Sequence, residues 1–296
     1  MQRVQVLLVD AFADEPTGGR TVAVDPAGSL TESQRRAVAR ELGTSGVVSA
    51  TDGTLRYTDC DGSRAVVSAA VAGAAGLYDR GAIEPGAYDL RVDGPDDGPV
   101  PVELDERGAV TVELPSQTPE RVPVDFDAVG TALGIDDAAM RDVGADLPLA
   151  AVDSFGGTLL VPVNFLQHLS GAAPSVGDLA TLLDDAGLSR IVAFTFDTLD
   201  AETDVHARVF DPTAAGNERA ASGVGAAACA AHLSAEAVFD GERADVVVEC
   251  GQFLDRPGRI RTTVERGPAV GGSALTTLDA ELLVPDDESS DDIIEL

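Results

Sequence analysis

The sequence predicts an α+β protein of two similar domains, each a mostly antiparallel sheet wrapped around one central helix of small residues. Three observations carry this. Residues 217–233 (N-E-R-A-A-S-G-V-G-A-A-A-C-A-A-H-L) pass from polar positions into almost uninterrupted Gly, Ala, Val and Cys, the pattern of a helix buried on every side. Residues 66–78 (V-V-S-A-A-V-A-G-A-A-G-L-Y) repeat the device about half the chain away. Each of these stretches follows a strand-like segment and a polar turn, so the chain reads as a diverged duplication whose two helix starts face a shared cleft. Ser222 is placed to cap its helix by accepting from the free N–H groups of the first turn, and Ser68 stands near the start of the other. Gly223 and Gly225 weaken a helix relative to Ala, so a neighbour packs against the backbone there.

The elements follow in order. Residues 4–9 form a first strand, and a loop with a tight Gly18-Gly19 turn leads to a second. Residues 31–42 form an amphipathic helix capped by Thr31 and ended by Gly43. Residues 47–50 and 54–58 pair around Asp52-Gly53 as a hairpin, ahead of the first buried helix. Residues 88–92, 100–104 and 109–114 alternate as strands, and the proline-rich stretch 115–123 crosses between domains. The second half holds helices at 125–133 and 176–186 and strands at 158–163, 191–196, 205–210, 246–250 and 260–264. Residues 275–284 alternate and return to complete the first sheet. The division is therefore 1–118 with 275–285 for the N-terminal domain, 119–274 for the C-terminal domain, and 286–296 as an acidic tail that frays.

Composition narrows the function. The 296 residues carry 51 acids against 20 bases, a net charge of −31, and every base is arginine. A lysine-free surface dense in carboxylates fits high salt, where screening removes self-repulsion. It excludes nucleic acid and anionic membranes, which need clustered positive charge. The first apolar run is too short for a signal peptide and nothing reads as a membrane span, so the expected compartment is the cytoplasm. Cys60, Cys229 and Cys250 lack metal or redox spacing and read as packing residues, with no metal expected.

The ordered segments V-D-A-F-A-D-E-P-T-G-G-R-T-V-A-V, A-R-E-L-G-T-S-G, A-A-S-G-V-G-A-A-A-C-A-A-H-L, G-Q-F-L-D-R-P-G-R-I and V-G-G-S-A-L resemble the PhzF-like, phenazine-biosynthesis-type family of the diaminopimelate-epimerase fold, almost end to end. The resemblance implies isomerases or epimerases of small acidic metabolites that work by proton transfer in an inter-domain cleft, without metal or organic cofactor, commonly as homodimers. The departures bear on activity. Where the family has a glutamate this chain has Gly46, after Ser45. Where it has a Gly-His pair, this chain has Ser68-Ala69. Arg219-Ala220 stands for an aspartate and proline, Val224 for a serine, and Gly19-Arg20-Thr21 for the G-N-P of the N-terminal loop.

Moving a proton next to a carbonyl needs a positioned base and donors for the developing enolate. Gly46 and Ala69 supply neither, and Arg219 is no base. The helix starts can still hold a carboxylate or phosphate, which makes Ser45, Gly46, Ser68, Ala69, Arg219, Ser222, Gly223 and Val224 the candidate cleft. Two readings stand: an isomerase with relocated groups, Glu218, Asp211 or His206 among them, or an inactive relative that binds a small anion or serves as an oligomer partner. Arg219 reads either as an anion clamp or as a salt-bridge partner of Glu218 or a loop carboxylate. The serines read either as ligand donors or as caps. The G-x-G-x-x-A spacing at 223–228 follows a polar turn instead of a strand, so it is not a dinucleotide fingerprint.

Overall fold

The computed structural model describes residues 1–94, 98–239, 245–263 and 268–286. The tail beyond 286 and the last residue of the strand expected at 260–264 lie outside the described residues. The chain order begins β1 (Gln2–Ala11), β2 (Arg20–Asp25), α1 (Glu32–Leu42), β3 (Gly46–Thr51), β4 (Thr54–Asp59), α2 (Val66–Asp79), β5 (Gly86–Val92), β6 (Val100–Leu104) and β7 (Val110–Glu113). It continues with β8 (Glu120–Arg121), α3 (Phe126–Leu133), α4 (Ala138–Gly144), β9 (Ala150–Val152), β10 (Thr158–Pro162), α5 (Leu166–Ser170), α6 (Val176–Ala186), β11 (Arg190–Thr195) and β12 (Val205–Phe210). The last elements are β13 (Glu218–Arg219), α7 (Gly223–Ala235), β14 (Asp245–Cys250), β15 (Gly258–Thr263), β16 (Ala269–Gly272) and β17 (Ala274–Val284).

The pairing pattern carries the duplication. In the first half β1 to β7 are joined in order as antiparallel, parallel, antiparallel, parallel, antiparallel, antiparallel. In the second half β9, β10, β11, β12, β14, β15 and β16 repeat the same six relations in the same order. In each half the buried helix, α2 or α7, is the crossover between the two strands of the second parallel pair, a connection that parallel strands require. The diaminopimelate-epimerase-like architecture expected from sequence is therefore present. Strand β17 pairs antiparallel with β1 from Gln2↔Val284 to Ala11↔Ala274, which returns the C-terminal segment to the first sheet.

The sequence did not foresee how the halves meet. Strands β7 and β16, equivalent in the two halves, pair antiparallel from Ala269↔Glu113 to Gly272↔Val110, so the two sheets form one hydrogen-bonded surface related by a local two-fold axis. Residues 269–272 (A-V-G-G), for which no element is expected from sequence, form β16 through this pairing. Residue type at such a position reports its neighbours more than its own preference. Helix α5 and strands β8 and β9 are too short for any periodicity to reveal, and α4 has no capping side-chain bond to mark its start.

Every residue of α2 from Val66 to Leu77 and of α7 from Gly223 to Leu233 is buried. Both helices share one apolar cluster that runs from Leu7 and Val9 through Val71 to Val192, Phe194 and Ala227. Helices α3, α4 and α6 cover the outside of the second sheet through Val129, Leu133, Met140, Leu179 and Leu183. Helix α1 covers the first through Val38 and Ala39. Its ends are as expected: Thr31 and Gln34 form a capping box, and Gly43 closes it at φ 65°. Among the described residues no helix is long and apolar enough to cross a membrane.

Candidate ligand-binding cleft

Two turns, each set between a strand and a buried helix, build the cleft. After β4 the Asp61 carboxylate accepts the backbone N–H of Ser63 at 2.9 Å, and Asp59 accepts that of Arg64 at 3.1 Å, which fixes the turn. After β12 Asp211 accepts the N–H of Thr213 at 2.8 Å and its hydroxyl at 2.7 Å. The chain then returns through a 3-10 turn (Ala215–Asn217) and β13 to Ser222, whose Oγ accepts the Gly225 N–H at 3.1 Å and caps α7 as expected.

Ser68 corrects one expectation. It lies buried in the first turn of α2, and the residue at the cap is Ala65, which makes no side-chain cap bond. A cap must stand ahead of the N–H groups it serves, so the counterpart of Ser222 is Ala65 and not Ser68. The helix starts approach so closely that a β-carbon on Gly223 would stand 2.5 Å from Val67 Cγ1. That contact accounts for a glycine at the head of a buried helix.

Between the two starts lies a cleft with about 320 Å³ of empty space, open solvent at its mouth included, with room inside for about one water. Four of the twenty arginines of this acidic chain line it, Arg20, Arg64, Arg190 and Arg219, together with Asp211, Ser63, Ser68 and Ser222. Arg219 donates Nε to Asp211 at 3.1 Å, Nη1 to Asp61 at 3.1 Å and Nη2 to Thr213 Oγ1 at 3.0 Å. Its guanidinium is the salt-bridge partner of loop carboxylates. Arg20 donates to Ser63 Oγ at 2.7 Å and stands 4.0 Å from Asp61.

Arg190 differs from its neighbours. It is 5% exposed and donates only to neutral oxygens, Phe155 O at 3.0 Å and Thr158 Oγ1 at 3.5 Å. Among the described residues no carboxylate lies within ion-pair distance of it. Burial pushes its pKa down to about 10; the charge of Asp211 opposes this, and those of Arg20, Arg219 and Arg64 add to it. Arg20 is also lowered, by burial first and then by Arg219. Among the described residues Asp211 is the carboxylate in the cavity lining, and Asp61 meets Arg219 and Arg20 beside it.

Arg219, Ser68, Ser222, Gly223 and Val224 line this cavity, whereas Ser45, Gly46 and Ala69 do not. Ala69 is wholly buried within α2. Gly46 is paired across the strands with Asp59, and the space in front of it is filled. A β-carbon there would meet Thr58 O at 2.2 Å and Tyr57 Cε2 at 2.5 Å. The Tyr57 phenol is raised above its ordinary value, chiefly by burial.

Of the three candidate replacement groups only Asp211 reaches the cleft. Glu218 is held by Arg208 in a buried two-point pair, 2.9 Å from Nε and 2.6 Å from Nη2. His206 bonds through Nδ1 to Glu249 at 2.7 Å, toward the other end of β12 from Asp211, roughly 17 Å along the strand. Burial works against ionisation of Glu249. The bonds from His206, from the N–H groups of Leu199 and Asp200 and from the Thr203 hydroxyl outweigh it and keep that carboxyl below its usual value.

Sequence reasoning missed Arg190. The available signal was an arginine opening the apolar strand R-I-V-A-F-T. Among the described residues no group of His, Cys, Asp and Glu could hold a metal ion.

The chain is similar to known proteins along most of its length. The family described as "Phenazine biosynthesis-like protein" matches residues 69–279. A protein described as an uncharacterized isomerase of Bacillus subtilis is 25% identical over 272 residues, 88% of this chain and 90% of that one. Among solved structures, a phenazine biosynthesis protein of the PhzF family from Bacillus anthracis superposes with a TM-score of 0.79 at 21% identity, covering 96% of this chain and 100% of the other. A predicted epimerase from Pseudomonas aeruginosa does so with a TM-score of 0.70 at 22% identity, covering 95% and 99%.

Proposed function

As this chain belongs to the phenazine biosynthesis-like family and is an isomerase- or epimerase-like protein by that membership, we propose that it binds a small acidic metabolite in the cleft between α2 and α7, and that the proton-transfer step has been lost. The observation that carries the reading is Arg190, a buried cation with no carboxylate of its own among the described residues. Burying a charge costs several kcal/mol unless a counter-ion compensates it, and an anionic ligand is the compensation this site lacks. The start of α7 favours the same class of ligand.

The loss of chemistry follows from what lines the cavity. Each side chain that could exchange a proton there is engaged: both Asp211 oxygens accept hydrogen bonds, from Thr213 and from Arg219. At Gly46 the space for a catalytic side chain belongs to Tyr57.

Titration calorimetry with inorganic phosphate and with malonate tests the binding. The wild type binds, and Arg190→Met abolishes binding without lowering the thermal midpoint. A solvent-deuterium exchange assay over amino and hydroxy acids in molar salt tests the chemistry, with no protein-dependent exchange expected. Because Asp211 does line the cleft, an isomerase that uses it as base is the second reading; exchange that disappears in Asp211→Asn would establish it and overturn the first.

A further inference from the structure

We infer that Asp61 is the residue that sets access to the cleft: a carboxylate of the protein itself that holds the arginine wall until an incoming anion displaces it. The inference rests on the anion-binding reading above. Asp61 comes from the turn before α2, and its partner Arg219 comes from the strand before α7, 158 positions away. Their contact at 3.1 Å, with Arg20 at 4.0 Å, therefore ties the two helix starts together.

The cleft has room for about one water, less than a carboxylate or phosphate needs, so part of the wall has to move before an anion enters. Among the described residues, Asp61 is the more exposed of the two carboxylates that hold Arg219. The Arg219–Asp211 pair is 10% and 7% exposed, and Arg190 is 5% exposed, whereas the Asp61 side chain is 36% exposed. A half-exposed carboxylate exchanges its guanidinium for water at small cost. When it leaves, Arg219 keeps its bonds to Asp211 and Thr213 and presents Nη1 to the ligand in the same place. Burial opposes ionisation of Asp61, but the Ser63 bonds and the charges of Arg219 and Arg20 outweigh it, so Asp61 competes in its charged form.

The test compares wild type, Asp61→Asn and Asp61→Ser by calorimetric titration with inorganic phosphate in molar sodium chloride, with Arg190→Met alongside. Asn and Ser each keep an oxygen able to accept the Ser63 N–H, and near-ultraviolet circular dichroism checks that the packing is unchanged. Both variants bind phosphate about two- to fivefold tighter than wild type, the gain expected from removing a competing ion pair of this exposure. Equal or weaker binding by the variants, with wild-type binding and its loss in Arg190→Met intact, overturns the role of Asp61 and leaves the anion site standing. Absence of phosphate binding in every form overturns the anion site and this inference together.

Discussion

Restoring a side chain at Gly46 separates the steric from the chemical account of this cleft. Its β-carbon would stand 2.2 Å from a backbone oxygen of the paired strand and 2.5 Å from the ring of Tyr57, which is wholly buried. Neither neighbour is the free end of a flexible chain, so β3 and β4 must part by most of an ångström. Overpacking of this kind costs about 1–3 kcal/mol, against about 0.5–1 kcal/mol gained by replacing glycine in a strand. Gly46→Ala is therefore destabilising by about 1 kcal/mol, which lowers the thermal midpoint by about 2–4 °C. Gly46→Glu adds an unpaired buried carboxylate worth about 3 kcal/mol or more and yields no deuterium exchange. Pairing Gly46→Ala with Tyr57→Ala costs less than the sum of the two single changes, because one clash is shared. Scanning calorimetry and the exchange assay read these outcomes. A Gly46→Ala protein as stable as wild type, or exchange in Gly46→Glu, refutes the reasoning.

Four further outcomes follow from the same geometry. Ser222→Ala loses the cap on α7 and about 1 kcal/mol in denaturant titration, while Ser68→Ala, which removes no cap, loses less. Arg208→Met strands the Glu218 carboxylate at 8% exposure and costs about 3–5 kcal/mol, and adding Glu218→Leu recovers most of it. Burial disfavours the charged form of Asp93, but bonds from Thr58, Arg35 and Arg56 hold its pKa below the usual value. Its contribution is present above the unfolded value near about 4 and is lost as pH falls through the lower folded value, so Asp93→Asn flattens the drop in thermal midpoint between about pH 5 and 3. With a net charge of −31, the thermal midpoint rises from dilute buffer to molar sodium chloride as self-repulsion is screened.

How much the sequence revealed depends on how far apart the interacting residues lie along the chain. The cap at Thr31, the stop at Gly43 and the turn at Asp52-Gly53 are each written within a few neighbouring residues and were read correctly; the Gln34 half of the capping box was not. The two small-residue helices and the return of 275–284 to the first sheet were legible from local pattern, because burial and alternation are recorded at each residue. Gly46 was legible as an absence, but its cause, the Tyr57 ring, was not. Ser68 looked like a twin of Ser222, yet three positions along a helix separate a cap from a buried first-turn residue.

Sequence alone determined the type of most elements, the caps at Thr31 and Ser222 and the duplicated plan, since each depends on the order of neighbours along the chain. Tertiary structure alone decided that Arg20, Arg64, Arg190 and Arg219 meet, that Asp61 crosses to Arg219, and that β7 joins β16. These contacts bring together residues up to 199 positions apart, from Arg20 to Arg219. The reason is physical: local backbone preference acts over a few residues, whereas the place of a charge in a cleft is fixed by how two separately formed sheets close around their helices.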